Sequence, residues 1–162
     1  MTQDEIKALF DYDPIKGVLI NKAQRAKRIK IGSEAGRLRL DGYRDVKVKN
    51  KYYLTHRLIW VFVTGSWPKN YIDHINQIKN DNRFCNLRDV TRSQNKQNTC
   101  LQINNSSGVK GVAWCKVNNQ WLVRITLNKK IYYLGLFKNI NAAALARKQA
   151  EEQLHSHRRL DA

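Results

Sequence analysis

The chain has 162 residues, which permits one medium domain or two small ones. Lys and Arg number 30 against 13 Asp and Glu, so the net charge is +17 and the pI is near 10.1. That imbalance points to a polyanionic partner, nucleic acid ahead of a membrane surface, since no stretch is long and apolar enough for a span and no basic amphipathic anchor is present. The segment MTQDEIKALF reads as a short amphipathic helix, not the apolar core of an export signal. Cys85, Cys100 and Cys115 are isolated and odd in number, the usage of reduced thiols in a cytoplasmic protein.

Residues 4–10 predict a helix with Ile6, Leu9 and Phe10 inward. Asp13-Pro14 and Gly17 mark a turn, and Val18 to Ile20 a short strand. Lys22 to Lys30 carries five positive charges and no acid, either a solvated loop or a phosphate contact. Gly32 to Gly36 turns the chain, and Asp41-Gly42 is a hairpin or turn signal. Leu38, Leu40, Tyr43, Val46 and Val48 alternate there with Arg37, Arg39, Arg44, Lys47 and Lys49, and a second hairpin is expected across Asn50-Lys51. Such a strand pair has one basic face, suited to a DNA groove or its phosphates, or else an ordinary charged solvent face. His56 to Thr64 is strongly apolar and ends at Gly65, a buried helix with Trp60 and Phe62 as core anchors.

The stretch from Tyr71 to Asn98 is the densest in polar chemistry. Ile72 precedes Asp73 and His74; a loop rich in Asn, Asp and Lys follows; Leu87 to Val90 is strand-like. Thr91 with Gln94 three residues later is a capping-box pattern, which starts a helix and puts Asn95 on its first turns. Strand, loop, strand and helix would bring one acid, one histidine and two amides together.

This run resembles the HNH nuclease motif of the phage and homing-endonuclease branch, built on a ββα-metal fold. The resemblance is carried by Asp73-His74-Ile75, Asp81-Asn82-Arg83, Asn86-Leu87-Arg88, Val90-Thr91 and Asn95. The pattern FDYDP…G…AG…DGYR…HRLIW extends it toward the N-terminus. The resemblance implies His74 as general base, Asn86 as the residue that orients its imidazole through the other nitrogen, and Asp73 and Asn95 as metal ligands. A histidine accepts a proton near pH 7, and oxygen ligands suit Mg2+ (or Mn2+). His56 and Arg57 stand where the family has an His-Arg pair, either reaching the scissile phosphate or capping the helix. Many HNH proteins bind structural zinc through two CxxC pairs; this chain has none, so no zinc is expected.

After Asn95 a polar tract runs to Gly108, and residues 104–108 have linker composition. Val109 to Cys115 is a strand candidate and Asn118-Asn119 a turn. Trp121, Val123, Ile125 and Leu127 alternate with Leu122, Arg124 and Thr126. Asn128-Lys129 is the next turn, Lys130 to Phe137 the third strand, and an Ala-rich helix capped by Asn141 runs to about Leu154. This segment resembles ethylene-response-factor-type DNA-binding domains through Gly108-Val109-Lys110-Gly111-Val112, Trp121, Ile125, Leu134-Gly135, Phe137 and the Ala-rich helix. Carried over by position, Arg124 and Thr126 would face bases beside Tyr133, and Lys110 and Lys116 would meet phosphates. Ala113 and Cys115 replace family arginines, which leaves backbone holding as the other mode, and a module without DNA contact as the third. The tail from His155 to Arg159 is basic and expected to fray.

The expectation is an α+β protein: an HNH region with N-terminal hairpins over 1–103, a linker at 104–108, and a three-stranded antiparallel sheet with one helix over 109–162. It would be a metal-dependent endonuclease of double-stranded DNA, a cytoplasmic monomer on an asymmetric site, with no membrane or protein partner. A non-catalytic DNA-binding regulator and an RNA-binding protein of translation are the competing classes.

Overall fold

The computed structural model describes residues 1–99, 101 and 103–155. Two compact units divide at residue 90, Met1–Val90 and Thr91–Ala162. The fold is α+β, with small antiparallel sheets and four helices. No helix among the described residues is long and apolar enough to cross a membrane.

The first unit opens on helix α1 (Gln3–Leu9), whose Thr2 and Glu5 form a reciprocal capping box. Phe10 does not continue the helix. It begins strand β1 (Phe10–Asp13), paired antiparallel with β2 (Val18–Asn21), and is fully buried. Asp13 Oδ1 accepts from the N–H groups of Ile15 and Lys16, and Gly17 adopts φ +69° to complete the turn. A Cβ on Gly17 would lie 2.4 Å from the backbone nitrogen of Arg83, so this turn presses directly on a later loop.

Strands β3 (Arg37–Leu38), β4 (Arg44–Val48) and β5 (Lys51–Leu54) form one sheet in that order. Val48 pairs with Lys51, so the hairpin closes through Lys49-Asn50 and not across Asn50-Lys51. Both turn residues have positive φ, the two-residue geometry whose twist matches the strands.

Helix α2 (Thr55–Thr64) carries Leu58, Ile59 and Val61 into the core and ends at Gly65 in the left-handed conformation. These residues meet Ile6, Phe10, Leu19, Val46, Val48, Ile72 and Leu87. Trp60 and Phe62, expected as anchors, are only partly buried and flank this cluster, because the helix turns its Leu58–Ile59–Val61 stripe inward. Strands β6 (Tyr71–His74) and β7 (Leu87–Val90) pair antiparallel, joined by a loop ending in a 3-10 turn at Phe84–Asn86.

The second unit begins with Thr91, whose hydroxyl and Gln94 form the expected capping box on α3 (Arg92–Gln97). Residues 104–108 are not simply spacer. Asn105 Oδ1 accepts from Ser107 N–H, and Ser107 Oγ reaches the carbonyls of Val109 and Val112. The Asn and Ser content that suggested a linker builds a hydrogen-bonded turn inside this unit.

Strands β8 (Val112–Cys115), β9 (Gln120–Leu127) and β10 (Lys130–Phe137) pair antiparallel with β9 central. The first strand starts at Val112, three residues later than expected, because Gly111 has φ +76° and a Cβ there would meet Arg124 O at 2.4 Å. Helix α4 (Ile140–Leu154) packs on one sheet face through Ala143, against Val112 and Val123. Its N-cap is Asn139, whose Oδ1 accepts from Asn141 N–H at 2.7 Å; the expected cap, Asn141, lies inside the helix. Cys85 and Cys115 are free thiols, and Cys100 lies outside the described residues. Of the expected frayed tail, His155 is described and residues 156–159 lie outside the described set.

Candidate active site

The antiparallel register of β6 and β7 sets the site in the first unit. Asp73 stands opposite Arg88, and His74 opposite Leu87. Asp73 is 8% exposed. Arg88 sits over it, with Nε and Nη2 at 2.9 and 2.8 Å from Oδ2. A guanidinium held this close neutralises the carboxylate and competes with any cation for that oxygen.

His74 is 4% exposed, and its Nε2 lies 3.0 Å from Oδ1 of Asn82. With the amide oxygen as acceptor, Nε2 carries the hydrogen and the ring is held in one tautomer. Burial pushes the pKa of His74 below its ordinary value, although the Asn82 bond and the carboxylates of Asp73 and Asp81 pull the other way. The imidazole is therefore neutral at pH 7.

Asn82 is itself fixed from the N-terminal hairpin. Its carbonyl accepts from the Tyr12 hydroxyl at 3.3 Å, and that hydroxyl accepts from Phe84 N–H at 2.8 Å. The Asn82 Nδ2 is buried with no hydrogen-bond partner among the described residues.

The expected bond between Asn86 and the imidazole is absent. Asn86 instead organises the loop. Its Nδ2 donates to Asn76 Oδ1 at 2.9 Å and Asp81 O at 2.8 Å, while its Oδ1 accepts from Asn76 N–H at 3.0 Å. Both amide hydrogens are used within residues 76–81, which is why Asn82, the next residue, takes the ring. Asp81 is clamped by Arg83 at 2.8 and 2.6 Å, and that guanidinium lowers its pKa to about 2.

Two further aromatic rings wall the imidazole. His56 meets His74 edge-on with centroids 5.1 Å apart, and Tyr43 lies 5.5 Å from His56 and 6.0 Å from His74. His56 is 5% exposed, and its Nδ1 has no partner among the described residues. Burial, then repulsion from His74 and Arg57, brings its pKa down to about 3. His56 therefore packs beside the ring as a neutral group and is not placed at the surface for a phosphate. Arg57 is half-buried, with its guanidinium 5.8 Å from the Trp67 ring.

Four of the six basic side chains expected on DNA in this unit are in local pairs. Arg37 reaches Asp45 at 3.0 Å, Arg39 reaches Asp41 at 2.9 Å, Arg44 reaches Glu34 at 3.3 Å and Lys49 reaches Glu5 at 3.4 Å. Lys47 is exposed over Tyr52. The pairs of Arg39 with Asp41, Arg44 with Glu34 and Lys49 with Glu5 have exposed acids and are worth about 0–1 kcal/mol, so a phosphate can replace the acid at little cost; Asp45 is buried and holds Arg37 more firmly. In the 22–30 run, Arg25 stacks on Phe10 at 4.4 Å and donates to Asn21 and to the Lys47 carbonyl, a structural role.

In the second unit, Asn95 sits half-buried on α3, in the turn that the Thr91 cap begins. The Lys110 ammonium does not project toward solvent as a phosphate contact requires. It bonds the carbonyls of Lys96 (2.8 Å), Gln97 (3.3 Å) and Thr99 (3.2 Å), a cation on the negative end of α3. Lys116 is exposed in the turn between β8 and β9. Arg124 and Tyr133 are directly opposed in the β9–β10 ladder, and Thr126 follows two residues on. All three are exposed, on the face away from Val123, Ile125 and α4.

Among the described residues no three His, Cys, Asp or Glu side chains cluster as a metal cage. Asp73 in the first unit offers one carboxylate and Asn95 in the second one amide, and either suits a hard cation only where phosphate and water oxygens supply the other positions.

Sequence reasoning missed Asn82, Arg88 and the His56–Tyr43 wall. Asn82 and Arg88 stand inside motif segments, but their roles depend on register and on loop bonds that a motif does not display. His56 is expected from sequence to reach the scissile phosphate or to cap the helix, and neither reading places a buried ring beside His74.

Residues 53–97 match the HNH endonuclease family model. The chain is also similar to "Protein 3.8" of Escherichia phage T7, 33% identical over 76 residues, which covers 46% of this chain and 63% of that relative. The chain thus spans less than two thirds of the relative's length. No solved structure matches.

Proposed function

We propose that this protein is a metal-dependent DNA endonuclease of the homing type, encoded by a phage or mobile element and acting in the host cytoplasm. The observation that carries the reading is the buried, neutral imidazole of His74, held in one tautomer by Asn82 beside the carboxylate of Asp73. The HNH match over residues 53–97 includes both.

In this reading His74 takes the proton from the attacking water. Asn82 keeps the ring's orientation, and Asn86 shapes the loop that presents Asn82. Asp73, with Asn95 added from the sequence pattern, would hold Mg2+ or Mn2+. Bound there, that cation supplies charge stabilisation at the leaving 3′ oxygen and a phosphate oxygen. The products are a 3′ hydroxyl and a 5′ phosphate.

The nuclease region, residues 1–103, and the sheet and helix of 109–162 share the duplex. Arg37, Arg39, Arg44, Lys47, Lys49 and Arg57 serve the first, and Lys116, Arg124, Thr126 and Tyr133 the second, in the manner of an ethylene-response-factor-type sheet. Two unlike modules engage an asymmetric site as a monomer.

Arg88 favours a second reading. Its fork on Asp73 neutralises the one carboxylate of the ligand set, as expected in a DNA-binding regulator that does not cut. Nicking of supercoiled plasmid separates the two. The nuclease reading expects nicks that require Mg2+ or Mn2+ and vanish in His74→Ala. Binding with no nicking across divalent metals supports the regulator.

A further inference from the structure

The tip between β3 and β4 is unusual for a turn. Leu40, at its apex, is fully exposed. Leu38 is 58% and Tyr52 51% exposed beside it. An open cleft of about 580 Å3 runs along these side chains, with Arg37 and Arg39 on its rim. Arg37 lies 4.8 Å above the Tyr52 ring. Turn tips are usually polar, and a lone exposed leucine would need no explanation, but this one sits on a continuous apolar ledge edged with arginine.

The tip is also stiff. Arg39 N–H donates to Tyr43 O at 2.7 Å and Gly42 N–H to Arg39 O at 3.0 Å, with Gly42 at φ +85°. Asp41 accepts from the Arg39 guanidinium at 3.1 and 2.9 Å and from Tyr43 N–H at 3.2 Å. From outside the turn, Lys79 Nζ donates to the Asp41 carbonyl at 2.9 Å and lies 5.1 Å from the Tyr43 ring. An apolar side chain on a backbone fixed this way loses little freedom on insertion.

Its setting is cationic. Residues 22–49 hold ten Lys and Arg against three acids. Tyr43, three residues past Leu40, is the ring that packs on His74 and His56. The tip and the imidazole are thus joined through one side chain.

We propose that Leu40 is a wedge that enters a base step of duplex DNA from the minor groove, while the arginines beside it hold the phosphates on either side. Apolar wedges in the minor groove unstack one step and kink the duplex. Here the kink lies next to the proposed catalytic ring and opens the backbone to it. The inference rests on the DNA reading above and adds the mode of engagement.

The test uses full-length protein and is read without cleavage. His74→Ala protein is bound to relaxed, covalently closed plasmid, a topoisomerase is added, and the linking number is measured after protein removal. A wedge unwinds the duplex, so linking number falls with increasing protein until saturation. Leu40→Ala in the same background still shifts the plasmid in a gel but loses the linking-number change, and Leu40→Phe keeps it. The exposed position makes both Leu40 substitutions compatible with the fold.

An unchanged linking number at saturation, or a full change in Leu40→Ala, overturns the wedge. Retention of the tip on anionic vesicles with no change in DNA overturns it in favour of a lipid surface. The nuclease reading fails separately: wild type that unwinds but never nicks removes the catalysis and leaves the wedge. Absence of duplex binding removes both.

Discussion

Burial keeps the imidazole of His74 neutral, and the amide of Asn82 fixes its tautomer. Removing that amide in Asn82→Ala loosens the hold on orientation and tautomer, and partners of this kind are worth about 10–100-fold in activity. We expect a loss of that size in nicking rate with the circular dichroism spectrum unchanged. An Asn86→Ala variant differs, because its amide ties residues 76 and 81 together and its loss loosens the whole loop.

His56 gives a pH effect of definite sign. Its folded pKa is depressed to about 3, below the ordinary 6.5 that the unfolded chain retains. Between those values the unfolded state binds the proton and the folded state does not. Its contribution to stability is therefore present above pH 6.5 and lost as pH falls toward 3, by up to about 1.4 kcal/mol per pH unit. Urea unfolding at pH 7 and pH 5 measures it. His56→Phe, which keeps a ring in the box, is expected to lose less stability across that interval than wild type.

Among the elements, the turn between β1 and β2 carries more than its length suggests. Gly17 has positive φ, and its missing Cβ makes room for Arg83 N at 2.4 Å. Gly17→Ala is expected to cost about 1–3 kcal/mol in urea unfolding, from backbone strain and from displacement of the loop that carries Asn82. Gly32→Ala is the comparison, since it shares the positive φ but nothing lies within 4 Å of its Cβ position.

The sequence made some of these elements plain and hid others. Helix α2 with its Gly65 stop, the Thr91–Gln94 box, the Asn128-Lys129 turn and the alternation of β9 all follow from local pattern. Strand β1 was hidden because Phe10 continues the apolar stripe of α1 yet belongs to the next element. The Lys49-Asn50 turn was hidden because lysine, not asparagine, opens it at positive φ, the reverse of the order at Asn128-Lys129. Asp73 and His74 were legible as chemistry, but their partners Arg88 and Asn82 were not. One needs the strand register, and the other needs to know that the amide of Asn86 is already used. Lys110 reads as a phosphate ligand by position, but the carbonyls at the end of α3 surround its ammonium.

For the whole molecule, the +17 charge is the property that sets long-range behaviour. If about six phosphates are neutralised, log affinity for duplex DNA falls against log salt with a slope near −5. A filter-binding series across salt measures this, and a flat response would place the positive charge away from the interface. The ion pairs at Arg39, Arg44 and Lys49 lower the number of free cations without removing them, because the exposed acids Asp41, Glu34 and Glu5 are replaceable by phosphate.

Charge brings the duplex to the protein, but the account stands on hydrolysis at one buried imidazole. Its most direct test is the conversion of supercoiled plasmid to nicked circles with Mg2+ or Mn2+, wild type against His74→Ala. The account predicts nicking by wild type, none in chelator, and a rate about 10²–10⁴-fold lower in the variant. Equal rates in the two proteins, or no nicks from either with any divalent metal while both still bind DNA, would contradict it.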